Sequence, residues 1–122
     1  MKHSPGFLRL VNSAKRRTKE ISVREVKDKL QRRDNFRLID TREEHEWDAG
    51  HIAGAMYLGK GIIERDIEKT VPDKSTQIVL YCGGGYRSAL AADNLRKMGY
   101  KRVSSMAGGW RAWKKERGKI AK

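Results

Sequence analysis

The chain has 122 residues, 38% of them apolar, and a formal charge of +13 from 28 Lys and Arg against 15 Asp and Glu. That length suits one core rather than two, and no apolar run approaches the roughly 20 residues that a membrane-spanning helix needs. A single cysteine, Cys82, excludes an intramolecular disulfide and any paired-cysteine metal site, and it fits a reducing compartment.

The first 19 residues hold no acid and several bases. A secretory signal requires an unbroken apolar stretch of about 7 to 15 residues. Here Arg9 splits Phe7-Leu8 from Leu10-Val11, and Asn12 follows, so that reading fails. An organellar transit peptide would share the basic, acid-poor character, but the helical spacing of Phe7, Leu10, Val11 and Ala14 favours a short amphipathic helix packed on the domain. Residues 1–18 are therefore read as a basic N-terminal extension, 19–118 as the domain, and 119–122 as a basic tail. The stretch from Lys114 to Lys122 is expected to fray.

Lys19 to Ile21 reads as a strand or turn. Ser22 with Glu25 three residues on forms a capping box, Ile21 can staple to Val26, and Val23, Val26 and Leu30 give a buried helical stripe as far as Arg33. Phe36 to Ile39 is a strand ending at Asp40. Thr41 with Glu44 suggests a second capping box and a short helix over Arg42 to Asp48, ended by Gly50. Met56 to Leu58 is a short strand, and Ile62, Ile63 and Ile67 mark a helical face within Gly59 to Thr70, before a turn at Pro72-Asp73. Gln77 to Tyr81 is nearly continuously apolar, as a central strand covered on both faces should be. Ser88 to Met98 reads as a helix stopped by Gly99, Arg102 to Met106 as the last strand, and Gly109 to Arg117 as the last helix, bearing Trp110 and Trp113. Strands alternating with helices predict an α/β domain around a mainly parallel sheet.

The chemistry converges on Tyr81-Cys82-Gly83-Gly84-Gly85-Tyr86-Arg87-Ser88. The cysteine stands at the carboxyl end of the central strand, where open α/β sheets place their ligands. Three glycines allow the backbone to curl so that N–H groups point at one centre, and a helix start adds unpaired donors and partial positive charge. Such surroundings favour a thiolate. Arg87 adds a cation able to meet an oxyanion. A structural turn with an inert cysteine is the plain alternative, and the conjunction of lone cysteine, glycines and arginine favours a working site.

The run from Leu38 to Ala55, LIDTREEHEWDAGHIAGA, resembles the first signature of the rhodanese family. YCGGGYRS resembles that family's active loop, and Met106-Ala107-Gly108-Gly109-Trp110 with Trp113 resembles its closing motif. The three lie in the family's order across Ile21 to Arg117. The resemblance implies a rhodanese-like fold, a five-stranded, mainly parallel sheet flanked by helices on both faces. It implies a persulfide on Cys82 and a substrate cradle of Gly83, Gly84, Gly85, Tyr86 and Arg87, with no metal and no organic cofactor. The six-residue loop has the length associated with sulfurtransferases, whereas related phosphatases and arsenate reductases have one residue more.

The expected activity is that of a cytoplasmic thiosulfate:cyanide-type sulfurtransferase. Its partners would be a small anionic sulfur donor, a thiol or cyanide acceptor, and in some settings a protein acceptor, with no membrane. A non-catalytic module that binds or senses a partner and a sulfur relay to tRNA or a carrier protein are the alternatives. The basic runs lack interleaved aromatics and any nucleic-acid motif, so nucleic acid is disfavoured. His51 is expected to hold a turn, Asp40 and Arg42 to form a buried ion pair or cap, and Trp110 and Trp113 to fill the core. His3 and His45 fall in no pattern.

Overall fold

Ser22 caps its helix as its spacing predicts: its hydroxyl accepts from the Glu25 N–H at 3.1 Å, and Glu25 accepts from the Ser22 N–H at 3.2 Å. The structure, a computed structural model, describes residues 2–122. Its elements run α1 (Pro5–Lys15), β1 (Lys19–Ile21), α2 (Val23–Arg32), β2 (Arg37–Asp40), α3 (Glu44–Ala49), β3 (His51–Ile52), β4 (Met56–Tyr57), α4 (Ile63–Thr70), β5 (Gln77–Tyr81), α5 (Tyr86–Lys97), β6 (Arg102–Met106), α6 (Gly109–Lys115) and β7 (Ile120–Ala121).

Five strands form one sheet in the order β1-β6-β5-β2-β4, every pair parallel. β5 lies at its centre, and the pleat sends alternate side chains to opposite faces. Ile78 and Leu80 join Ile63 and Ile67 of α4 and Ala91, Ala92 and Leu95 of α5. Val79 and Tyr81 join Val23 and Val26 of α2 and Trp113 of α6. Both faces are thus covered, which is why β5 reads as an unbroken apolar run.

α1 packs along α5 rather than extending the sheet. Val11 and Ala14 are its buried residues, and Leu10 points outward despite its helical spacing. Arg17, just past the helix, donates to both oxygens of Asp93 on α5 at 3.2 and 2.7 Å. Arg96 and Lys97 also pair with Asp93, and the Arg17 hydrogen bonds chiefly hold its carboxyl down at about 2 against some burial.

Two expectations need correction. The short helix α3 is capped by Glu43 and Glu46, not Thr41 and Glu44: Glu46 accepts from the Glu43 N–H at 3.0 Å, and α3 starts two residues later than predicted. Thr41 instead donates its hydroxyl to the Tyr81 carbonyl at 2.9 Å, tying β2 to β5 at the site's edge. The basic stretch after Lys114 does not fray throughout. Ile120 and Ala121 pair antiparallel with Ile52 and His51, and the Trp113 indole N–H donates to the Lys119 carbonyl at 3.0 Å. Backbone pairing and an indole anchor hold a segment whose composition alone suggests disorder.

Candidate active site

Cys82 follows the last residue of β5, and only 1% of it is exposed. Its sulfur accepts from the backbone N–H groups of Gly85, at 3.2 Å, and Ser88, at 3.3 Å. The Ser88 hydroxyl lies 3.4 Å from the sulfur and shares a second hydrogen bond, of 2.8 Å, with the Ser105 hydroxyl on β6. Two backbone donors and a buried hydroxyl pair therefore surround the thiol at the start of α5. Such donors stabilise negative charge wherever it sits on the sulfur.

The loop glycines serve two different ends. Among them Gly85 alone has a positive φ, +96°, the conformation that starts α5 from the loop. At Gly83 a Cβ would stand 2.9 Å from the Arg87 guanidinium, and at Gly84 it would overlap the Arg111 guanidinium. These two glycines leave room for cations to lie directly on the loop.

From the other side, α6 clamps the loop. The Trp110 N–H donates to the Cys82 carbonyl at 2.7 Å, and the Arg111 N–H to the Gly83 carbonyl at 3.1 Å. Gly109, with φ +56°, permits this approach, because a Cβ there would strike the Cys82 and Gly83 backbone. The closing motif thus satisfies the loop's carbonyls while its N–H groups face the sulfur.

Arg87 is not a free cation. It donates to both carboxylate oxygens of Glu46, at 2.9 and 3.3 Å. That pairing, with the neighbouring Cys82 sulfur adding less, raises the guanidinium above its ordinary range. Burial pushes the Glu46 carboxyl up, but the Arg87 hydrogen bonds and the Glu43 N–H together outweigh it and hold Glu46 below the usual carboxylate range.

A cleft of about 500 Å³ leads to Cys82. Gly83, Gly84, Arg87 and Arg111 line it, and the neighbouring Glu43, His45 and Glu46 form one wall. His3 and Phe7 of the N-terminal segment form another, with their rings 4.6 and 6.3 Å from that of Tyr86. Of the five predicted cradle residues, only Gly85 reaches the sulfur with its N–H. Tyr86 packs against the N-terminal segment and Arg87 faces Glu46. Glu43, His45 and Glu46 bring ligand atoms within 4.8 Å of one another, but Glu46 is committed to Arg87.

His51 accordingly holds a turn. Its ring stacks on Trp47 at 3.4 Å and its Nδ1 lies 3.0 Å from the Trp47 carbonyl oxygen. Asp40 and Arg42 form a buried ion pair of 2.8 Å, and Arg42 also donates to the Gly50 carbonyl at 2.7 Å. Trp113 is a core residue, whereas Trp110 is only partly buried and lines the cleft. Sequence reasoning placed Ser88 in the loop motif without giving it a contact to the sulfur, and it missed Glu46, Ser105, Arg111, Phe7 and His3 as site residues. Arg111 was the most accessible of these, being the residue after Trp110 in a motif already singled out.

Residues 22–116 match the family described as Rhodanese-like domain. The thiosulfate sulfurtransferase GlpE of Coxiella burnetii is 32% identical over 96 residues, which cover 79% of this chain and 87% of that protein. Among solved structures, the Rhodopseudomonas palustris protein RPA3614, described as of unknown function and a possible tyrosine phosphatase, superposes with a TM-score of 0.89. It is 25% identical, and the match covers 99% of this chain and 98% of that one. The rhodanese-like domain of the Anabaena Alr3790 protein gives a TM-score of 0.75 at 28% identity, over 84% of this chain and 77% of that one. The chain spans only 50% of the length of YrkF of Bacillus subtilis and 24% of MoeZ of Mycobacterium tuberculosis, to which it is 30% and 37% identical.

Proposed function

This chain belongs to the rhodanese-like domain family, and from that premise we propose that it moves sulfane sulfur from an anionic donor to a thiophilic acceptor through a persulfide on Cys82. The observation that carries the reading is the sulfur of Cys82, buried at the end of β5 with two backbone N–H donors and the Ser88 hydroxyl around it.

With thiosulfate as donor, the thiolate attacks the outer sulfur. A Cys82 S–S bond forms, the donor's S–S bond breaks, and sulfite leaves with the electron pair. Charge moves to the new terminal sulfur, within the same cleft. Cyanide or a thiolate then attacks that terminal sulfur, giving thiocyanate or the acceptor's own persulfide and returning the Cys82 thiolate. The Gly85 and Ser88 N–H donors, in a loop that the α6 clamp holds, need no reorganisation during either step, which is the condition for effective electrostatic stabilisation. The proposed site is Cys82, with Gly83, Gly84, Gly85, Tyr86 and Arg87 around the donor.

Intact mass tests this directly. Incubation with thiosulfate should add one sulfur atom, cyanide should remove it, and Cys82→Ser should neither gain the atom nor turn over. An intact protein that takes no sulfur from thiosulfate or from glutathione persulfide would favour the binding-module reading. Cys82-dependent hydrolysis of an aryl phosphate would favour the phosphatase description given to the R. palustris protein.

A further inference from the structure

Two guanidinium groups lie on the cysteine loop, and they are not equivalent. Arg87, over Gly83, is held by two hydrogen bonds to Glu46. Arg111, over Gly84, makes no side-chain hydrogen bond or ion pair among the described residues, and its own side chain is solvent-exposed. Its backbone is nonetheless anchored on the loop, because its N–H is bound to the Gly83 carbonyl and its helix is seated there through Gly109.

The acids of the cleft lie with Arg87. Glu46 pairs with it, and Glu43 and His45 stand on the same wall. An anion approaching that wall meets carboxylates, and the Arg87 charge it would seek is already shared with Glu46. An anion approaching from α6 meets an uncompensated guanidinium with free donors.

We propose that Arg111 is the residue that receives the anionic end of the incoming reagent and delivers it to Cys82, a role distinct from that of the family-pattern Arg87. For the sulfur-transfer reading, on which this identification of the reagent rests, that end is the sulfonate of the donor, and its outer sulfur is left pointing at the thiolate. Lys15, whose ammonium lies 5.1 Å above the Tyr86 ring, is paired with Glu20 and is not a competing free cation.

The test separates anion delivery from sulfur transfer. Cys82 is alkylated in the intact protein with iodoacetate, an anion, and with iodoacetamide, its neutral counterpart. The ratio of the two rate constants reads the cation's effect without requiring any turnover. In Arg111→Ala that ratio should fall about threefold to tenfold with the iodoacetamide rate nearly unchanged, and KM for thiosulfate should rise by a similar factor. Arg111→Lys should recover part of both. Lys115→Ala removes the same charge at the far end of α6 and should leave the ratio at the wild-type value. A wild-type ratio in Arg111→Ala, or an equal fall in Lys115→Ala, would overturn the proposal, the second outcome by showing that bulk charge is responsible. If the wild-type protein never accepts sulfur, the functional reading fails while the alkylation ratio still decides the role of Arg111.

Discussion

Arg87 and Glu46, both lining the cysteine cleft, neutralise each other 2.9 Å apart. The arginine that stands in the family's loop is therefore a cation already in use. Removing its partner's charge should release it. Glu46→Gln keeps a carbonyl acceptor for the Glu43 N–H, so α3 should remain capped. KM for thiosulfate should then fall about twofold to fivefold, the scale of a half-exposed ion pair. Steady-state kinetics at fixed ionic strength checks this, and an unchanged or higher KM would mean that Glu46 serves to aim Arg87 rather than to restrain it.

The hydroxyls of Ser88 and Ser105 form one buried unit against the Cys82 sulfur. Ser88→Ala removes a contact to the sulfur and strands the Ser105 hydroxyl in the core, at a cost of about 1 to 3 kcal/mol. The double variant Ser88→Ala/Ser105→Ala should regain part of that stability in a denaturant titration but none of the lost rate of persulfide formation. Recovery of both would assign the pair to packing alone.

Neighbouring glycines should respond differently to alanine. At Gly83 the new methyl meets the flexible end of Arg87, which can move aside, so stability should change by less than about 1 kcal/mol. At Gly109 it meets the Cys82 and Gly83 backbone, at a positive φ, and nothing nearby can yield. Gly109→Ala should cost about 2 kcal/mol or more and abolish sulfur uptake. Thermal melts and intact mass of the two variants side by side give the comparison.

Acid should loosen the N-terminal helix. The Asp93 carboxyl titrates at about 2 in the fold, against 3.8 ordinarily, because Arg17 and Arg96 hydrogen-bond to it. A depressed carboxylate contributes stability that is present above its unfolded value and lost as pH falls through its folded one. The contribution should therefore disappear between about pH 4 and pH 2. Over that window the Tm of the wild-type protein should drop more steeply than that of Asp93→Asn, and parallel profiles would contradict the assignment.

Local signals in the sequence carried most of the architecture. The Ser22 box, the apolar run at Gln77 to Tyr81 and Gly99, which has φ +102°, each act within a few residues, and each has the predicted place in the structure. Thr41 was misjudged because Thr41 to Glu44 is the spacing that fits the capping rule, whereas the observed cap starts on a glutamate, Glu43, which the rule does not single out, and the Tyr81 carbonyl at the end of β5 claims the threonine hydroxyl. The site was half legible. Cys82 and its loop announce themselves, but Glu46 and Arg111 come from elements tens of residues away, and only the parallel sheet brings them to one edge. Phe7 and His3 lie further still, before the matched family region begins.

The placement of β5 also sets the order in which the site can come into being. The strand that ends at Cys82 hydrogen-bonds to β2, made earlier in the chain, and to β6, made later. During synthesis the cysteine and its glycines emerge before β6 supplies Ser105 and before Gly109 seats α6 on the loop. Non-local pairings of this sort are slow to form. A nascent or half-folded chain thus lacks part of the set of groups around the thiol, and the donor-lined sulfur is complete only once β6 and α6 have docked. The reactivity of that one thiol toward a small neutral alkylator should consequently report folding completion in real time, without any added label.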